Sequence, residues 1–491
     1  MVTQQMSRRL PPCSGNSVIE RQGADVRVLL RPTATAISAL VIAGLVGVAA
    51  TLAPLLSFAA AAATSVLVMG GTGHPLSTPP DTIAYVQRYT SAAVNNYVSP
   101  ASAAGHGIPG GPYNTVAVIT PEKSTNIRDS IDRGLVALDA CIGSSTCDFN
   151  EGIGSSAPSS SDTFVVFGFS QSAAIAMLEK RKLAAQYAVG EGPNVTFIVI
   201  GNARPNGGLV ARDVGGVFTK LILGVLRSEL VIDPAPTNTQ YATVDTALQY
   251  DLLADAPLNP LNLLAVANAY MGMVLLHPNY ADFSLTTPGV VDQGQYGDTH
   301  YYLIPADTLP LLMPLDGLGP LGHALADTLD PALRVIIESA YDRSTSPGVP
   351  TAWNATYFED PITLARNVLD AIPVGLDNGI QDLWGVRPLR TKRPGAYGVG
   401  GTEVEVSAPA TADASASGSS LGTDGGSSSR GSESPSSADK PGLAGSKRAR
   451  PPILAATSSS KKSKNNSESS VSRKASQSSS HRGVGSSKRA S

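Results

Sequence analysis

The chain has 491 residues, with 36 Lys and Arg against 39 Asp and Glu, a formal net charge of −3. That length leaves room for more than one domain, and a balance so near neutrality argues against a nucleic-acid binder. The charge is unevenly spread: basic residues gather at the extreme C-terminus and acidic ones lie mostly in the middle.

Residues 1–34 form a basic head that carries Arg8, Arg9, Arg21, Arg27 and Arg31. Residues 35–63, "TAISALVIAGLVGVAATLAPLLSFAAAAA", then run without a single charge. At 1.5 Å per residue such a run can cross a bilayer of ~30 Å. The arginines upstream would stay on the cytoplasmic side. Asymmetric flanks and an Ala-rich composition favour a signal or transmembrane anchor over a buried core helix. Small residues around Ala59 to Ala63 suit a signal peptidase, whereas the length of the run suits an uncleaved anchor. Arg8-Arg9 stands too far upstream to form a twin-arginine signal. The expected location is therefore the cell membrane, with the following domain outside the cytoplasm, or the cell envelope if the segment is cleaved.

Residues 65–395 read as one folded region without an internal repeat. "SVLVMGGTGHP" opens it with an apolar run from Val66 to Met69 and a Gly-Thr-Gly turn. Ile83, Val86, Tyr89 and Val94 follow at helical spacing. "YNTVAVIT" is a short β-branched run, and "TNIRDSIDRGLVALDACI" is helical. "TFVVFGF" is the next strand and "QSAAIAMLEKRKLAA" the next helix. "NVTFIVIGNARPNGG" runs from strand into a Gly-rich loop, and "TVDTALQYD" is another strand. Short, fully apolar strands alternating with helices mark a parallel sheet covered on both faces. The predicted class is α/β, a three-layer sandwich with a mostly parallel central sheet. Ligands in such sheets bind at the carboxyl ends of the strands, where the Gly70–Gly73 turn, Ser170, Asn202 and Asp251 would fall. The segment 207–232 has apolar helical spacing and reads equally as a lid over lipid or as a core helix.

Three cysteines are present. Cys141 and Cys147 flank a Gly-Ser loop after a helical run, and without a Cys-x-x-Cys or His-rich pattern a zinc site is not expected. A local disulfide is the better reading in an exported domain. Cys13 lies in the head. Residues 396–491 are Ser-rich with basic clusters such as "GSKRARPP" and almost no branched apolar residues. Such a segment buries too little surface to offset its ordering entropy and reads as a disordered tail. It would touch an anionic surface or merely solubilise. A nuclear address would conflict with the apolar N-terminal segment.

The most informative stretch is "TFVVFGFSQSAAIAMLEKRKLAA", in which Gly-x-Ser-x-Ser stands between a strand and a helix. A serine hydroxyl becomes a nucleophile only with a base in hydrogen-bond reach and donors for the oxyanion. A strand-to-helix elbow lifts Ser170 above the sheet, over the helix N-terminus. Gly168 sits two before it, and Ser172 takes the place of the second glycine. The motif alone is weak in a Gly- and Ser-rich chain, where Ser170 could simply cap a helix, but the flanking elements raise it. The histidines that follow are His277, His300, His323 and His481. His277 ends an apolar helical run before a proline turn and is favoured as base, with His300, at a strand start, as runner-up. Asp251 directly follows a strand and is favoured as the acid, ahead of Asp255 and then Asp298. Oxyanion donors are expected from the backbone of Gln171 and from the "GGTG" loop, at Thr72 or Gly71. A phosphate-cradling role for that loop fails because no Gly-Lys-Ser/Thr follows.

Taken together, "VLVMGGTGHP", "FGFSQSAAIA", "IGNARPNGG", "QYDLLADAPLNPLNLLA", "LLHPNY", "YYLIPADTLPLL" and "ESAYDR" resemble the PE-PPE domain of mycobacterial proteins. The resemblance covers about residues 66–388. It implies a cutinase-like serine α/β-hydrolase with a Ser, Asp, His triad and no cofactor or metal. Carried onto this chain, the nucleophile falls on Ser170, the acid on Asp251 or Asp255, and the histidine on His277. The helical module that often precedes this domain is absent, and an apolar anchor stands in its place. In that respect the chain resembles the cutinase-like hydrolase proteins, which implies envelope glycolipids as substrates. The expected function is a cell-envelope serine esterase acting on acyl esters. An acyltransferase to trehalose or another glycolipid and a non-catalytic binding protein on a hydrolase scaffold are the alternatives.

Overall fold

Short runs rich in Val, Ile, Phe and Thr, each closed by glycine or polar residues, form the strands of this protein. The computed structural model describes residues 64–143, 146–212 and 235–402. The apolar segment 35–63, residues 213–232 of the lid candidate and the tail from 403 onward lie outside the described residues. Among the described residues no helix is long and apolar enough to cross a membrane.

The strands are β1 (Thr64–Val68), β2 (Tyr113–Ala117), β3 (Thr163–Phe169), β4 (Val195–Ile200), β5 (Thr243–Leu248), β6 (Val291–Tyr296) and β7 (Thr299–Ile304). They form one seven-stranded sheet in the order β2-β1-β3-β4-β5-β7-β6. Every pairing is parallel except the β6–β7 hairpin at one edge. The longer helices are α1 (Ile83–Ala92), α2 (Ile127–Gly143), α3 (Gln171–Gln186), α4 (Leu263–Leu275), α5 (Pro320–Glu338) and α6 (Pro361–Trp384). A π-helical turn, Ala93–Val98, prolongs α1.

Side chains alternate across a strand, so each strand feeds two cores. Val66 and Val68 of β1 join Val165 and Phe167 of β3 in a cluster with α1, α4 and α5 residues. Leu67, Val116, Val166, Phe197 and Val199 point the other way, onto α2 and α3. That double coverage explains why β4 and β5 are buried along their whole length. The three-layer sandwich read from the sequence is thus present. Its antiparallel edge strand β6 is polar (VDQGQY) and gave no strand signal. Tyr397, which the sequence reading assigned to the tail, is 3% exposed among Ala247, Ala254, Val291 and Leu303. Packing therefore extends past residue 395.

Cys141 and Cys147 are joined in a disulfide at the end of α2. On the same side, α3 is tied to the β7 start by a buried ion pair. Lys180 Nζ lies 2.6 Å from Asp298 Oδ1 and donates to Pro236 O at 2.8 Å. Burial pulls the ammonium's pKa down, and the Asp298 charge opposes it. Asp298, the third candidate for the acid, is engaged here and not beside a histidine near Ser170. Removing one partner of a buried pair leaves a charge uncompensated. Lys180→Ala is expected to cost about 3–5 kcal/mol, read as a lowered urea midpoint.

Candidate active site

β1 and β3 are sheet neighbours whose following connections lead to opposite sides, β1 to β2 and β3 to β4. Such a switch point leaves a crevice at the carboxyl ends of the strands. Ser170 stands at it, the single residue between the end of β3 and the start of α3. Its backbone has φ 56° and ψ −111°. A non-glycine residue in such a region costs about 1–3 kcal/mol and persists only where its surroundings hold it. Here the Ser170 N–H donates to Ile200 O at 3.1 Å and its carbonyl accepts from Ala173 N. A Cβ on Gly168 would stand 2.6 Å from Ser172 O, so only glycine permits this approach of strand and helix. Ser172, in the second glycine's place, uses its hydroxyl to accept from the Phe169 N–H at 2.9 Å. That bond closes the elbow.

The imidazole arrives from the turn after α4. His277 Nε2 is 2.8 Å from Ser170 Oγ, and Nδ1 is 2.7 Å from Asp251 Oδ2. With the carboxylate accepting, Nδ1 carries the proton and Nε2 is left to accept from the serine hydroxyl. His277 is 8% exposed and Asp251 is fully buried. Asp251 also accepts from the Tyr280 hydroxyl at 2.9 Å and from the Leu253 N–H at 3.1 Å. Burial, with the Asp251 charge second, holds the Tyr280 hydroxyl well above its usual pKa, so it stays a neutral donor. Space for the ring comes from Gly201 at the end of β4. Its φ is +59°, and a Cβ there would stand 2.9 Å from His277 Cε1.

Two loops meet above the α3 N-terminus. Gln171 Nε2 donates to Thr72 Oγ1 and to Lys123 O, each at 3.0 Å. The amides of Gly73 and His74 are engaged with Glu122 O and Gly71 O. The Gln171 amide is among the first four of α3, which have no acceptor within the helix. Thr72 and Gln171, both singled out in the sequence, are therefore neighbours beside Ser170, with Gly71 one residue away.

Other candidates are engaged elsewhere. Asp255 accepts from the Tyr250 N–H at 2.8 Å and from Arg343 Nη1 at 2.7 Å, so it braces the turn that holds Asp251. His300 is the second residue of β7 and pairs with residue 244 near the start of β5. That is the opposite edge of the parallel sheet from Ser170. There it binds Asp292 Oδ1 at 2.7 Å and stacks on His106 with centroids 3.7 Å apart. Asn202, expected on the functional edge, donates to Asp245 Oδ2 at 2.8 Å. His323 and Asp327 on α5 and Asp382 on α6 bring ligand-type atoms within 4.8 Å of one another, in a group that includes none of Ser170, His277 and Asp251. A cavity of about 280 Å³ lined by Glu338, Arg343, Tyr357 and Tyr397 likewise includes none of the three.

The sequence pattern assigns no role to Tyr280 or Gly201. The signal for Tyr280 was present in "HPNY", where a hydroxyl follows the histidine by three residues. Gly201 directly follows the apolar run of β4, where a glycine can leave room for a ring.

Residues 107–342 match the PE-PPE domain. The chain contains a PE-PPE domain. It is 32% identical over 307 residues to PE family protein PE3 of Mycobacterium tuberculosis, covering 61% of this chain and 59% of that protein. It is 40% identical over 232 residues to Esterase PE16 of the same organism, covering 44% and 42%. Diacyltrehalose acyltransferase Chp2, also from that organism, is 32% identical over 146 residues, covering 28% of this chain and 40% of that protein. The chain thus spans about half the length of these curated relatives.

The Tyr280 hydroxyl both donates to Asp251 and accepts from the Leu248 N–H at 2.9 Å. Tyr280→Phe orphans a buried amide and removes a donor from a buried carboxylate, each worth about 1–3 kcal/mol. A lowered denaturant midpoint is expected, with an unchanged m-value showing that the fold is intact.

Proposed function

We propose that this PE-PPE domain is an acyl-ester-processing serine hydrolase with Ser170 as its nucleophile. The single observation that supports this reading is the continuous line from Ser170 Oγ through both nitrogens of His277 to the buried Asp251. His277 Nε2 takes the hydroxyl proton as Oγ bonds to the ester carbonyl carbon. Asp251 holds the imidazolium that forms. The amides of Thr72 and Gln171, at the positive end of α3, stabilise the oxyanion. Collapse breaks the ester C–O bond, the proton on Nε2 passes to the departing alcohol, and acyl-Ser170 remains. Water, deprotonated by His277, then releases the acid and restores the serine.

Similarity to Esterase PE16 at 40% identity favours water as the acceptor. Similarity to Diacyltrehalose acyltransferase Chp2 favours a second reading, in which a sugar hydroxyl attacks acyl-Ser170 in place of water. The disulfide Cys141–Cys147 and the charge-free run 35–63 support a site of action outside the cytoplasm, at the cell envelope.

The test offers the full chain p-nitrophenyl esters of graded acyl length, with and without trehalose, alongside a fluorophosphonate probe. Ser170→Ala is expected to abolish labelling and to lower kcat by about 10⁶-fold. Asp251→Asn is expected to lower it by about 10⁴-fold through the wrong imidazole tautomer. Acyl-trehalose among the products would favour transfer. Equal silence of wild type and Ser170→Ala toward the probe would turn the assignment toward the binding protein.

A further inference from the structure

Behind the Gly71–Gly73 loop lies a carboxyl group that the triad does not use. Glu122 is 1% exposed. Its Oε1 accepts from the Thr120 hydroxyl at 2.8 Å, while its Oε2 is buried without a hydrogen-bond partner. The backbone of the same residue has φ +41°. In that conformation its carbonyl accepts from the Gly73 N–H at 2.7 Å. The next carbonyl, of Lys123, accepts from Gln171 Nε2, and that nitrogen also donates to Thr72 Oγ1. Residues 122 and 123 therefore grip the oxyanion loop from two sides, through Gly73 and through the Gln171 amide.

Resting on the esterase reading above, we propose that Glu122 is a positioning residue that keeps the Thr72 and Gln171 donors in register only while its carboxyl is neutral. A neutral acid can remain in this site with one hydrogen bond. A carboxylate cannot do so cheaply, because an ionised group buried without a partner is strongly disfavoured. Ionisation would drive the side chain toward water and drag the Glu122 and Lys123 carbonyls with it. Among the described residues the polar groups tied to the segment include no cation: Thr120 of the segment itself, Ser130 on α2, Gln171 on α3, and Tyr89 on α1, which feels the Glu122 charge. The Lys123 side chain is exposed. Burial accordingly pushes the Glu122 carboxyl up to about 8, with the Thr120 hydroxyl pulling the other way. Glu122 is thus an acid whose pKa is raised on folding. Its stabilising neutral form is fully present below the ordinary Glu pKa, and that stability is lost as pH rises toward about 8.

The experiment uses the full chain and follows ester turnover and fluorophosphonate labelling from pH 6 to about 9.5. Wild type is expected to lose kcat about tenfold per pH unit above the folded pKa, with KM little changed. In Glu122→Gln, neutral at every pH, that alkaline fall should disappear. Thr120→Val, which removes the one bond favouring the ionised form, should move the fall to higher pH. Independently of any activity, the thermal midpoint of Ser170→Ala should drop more between pH 5 and pH 9 than that of Ser170→Ala/Glu122→Gln. Labelling that proceeds with superimposable pH profiles for wild type and Glu122→Gln overturns this proposal and leaves the esterase reading standing. Absence of labelling and turnover at every pH overturns both.

Discussion

Asp251 is a carboxylate with no exposed surface, and most of the site follows from how it is satisfied. A buried charge is tolerated only where donors replace its water. Those donors are the Leu253 N–H in the turn after β5, the Tyr280 hydroxyl and His277 Nδ1, both in the turn after α4. Satisfying the carboxylate therefore docks the end of α4 onto the carboxyl edge of the sheet. The imidazole has little freedom left: its Nδ1 is committed to Asp251, and Nε2 falls at Ser170 Oγ. Orientation of the imidazole is thus a by-product of solvating a buried acid, and the energy that holds it belongs to the fold.

The serine is held by a different balance. Its backbone strain is offset by the bond to Ile200 O, by Ser172 closing the turn, and by α3 packing on the sheet. Gln171 then has two uses. Its backbone amide opens the helix, and its side chain ties the Thr72 loop to residue 123. One residue after Ser170 thereby fixes both sides of the crevice.

What could be read from the chain was what local pattern encodes. The apolar runs that become β1 and β3–β5 are buried on both faces, so composition and length suffice to reveal them. Ser170, Asp251 and His277 each stand where such a run, or an apolar helix, breaks into a turn. The parts that escaped are those settled by distant partners. β6 is a strand because β7 offers it an edge, although its own residues are polar. Asp255 and Asp251 lie in one turn, and the former is committed to the Tyr250 N–H and to Arg343, 88 residues further on. His300 looked available until the parallel register put it at the amino edge of the sheet. Tyr280 and Gly201 needed the geometry of the His277 ring itself. Tyr397 needed the hydrophobic niche near Arg343.

In the proposed mechanism, hydrolysis and acyl transfer would use the same chain of hydrogen bonds up to acyl-Ser170 and diverge only after it. What separates them is the competition between water and a bound hydroxyl for His277 Nε2. Bulk water outnumbers any sugar, and a transferase must overcome that by orientation. Well-placed intramolecular partners reach effective concentrations of about 10⁵–10⁸ M, which is ample if the acceptor is held within about 3.5 Å of the carbonyl. Among the described residues Ser170 is half-buried and His277 nearly closed off. An acceptor hydroxyl held against Ser170 would exclude water by occupying its place. Under the proposed mechanism the choice of product therefore rests on the walls around Ser170 and on what they hold against it.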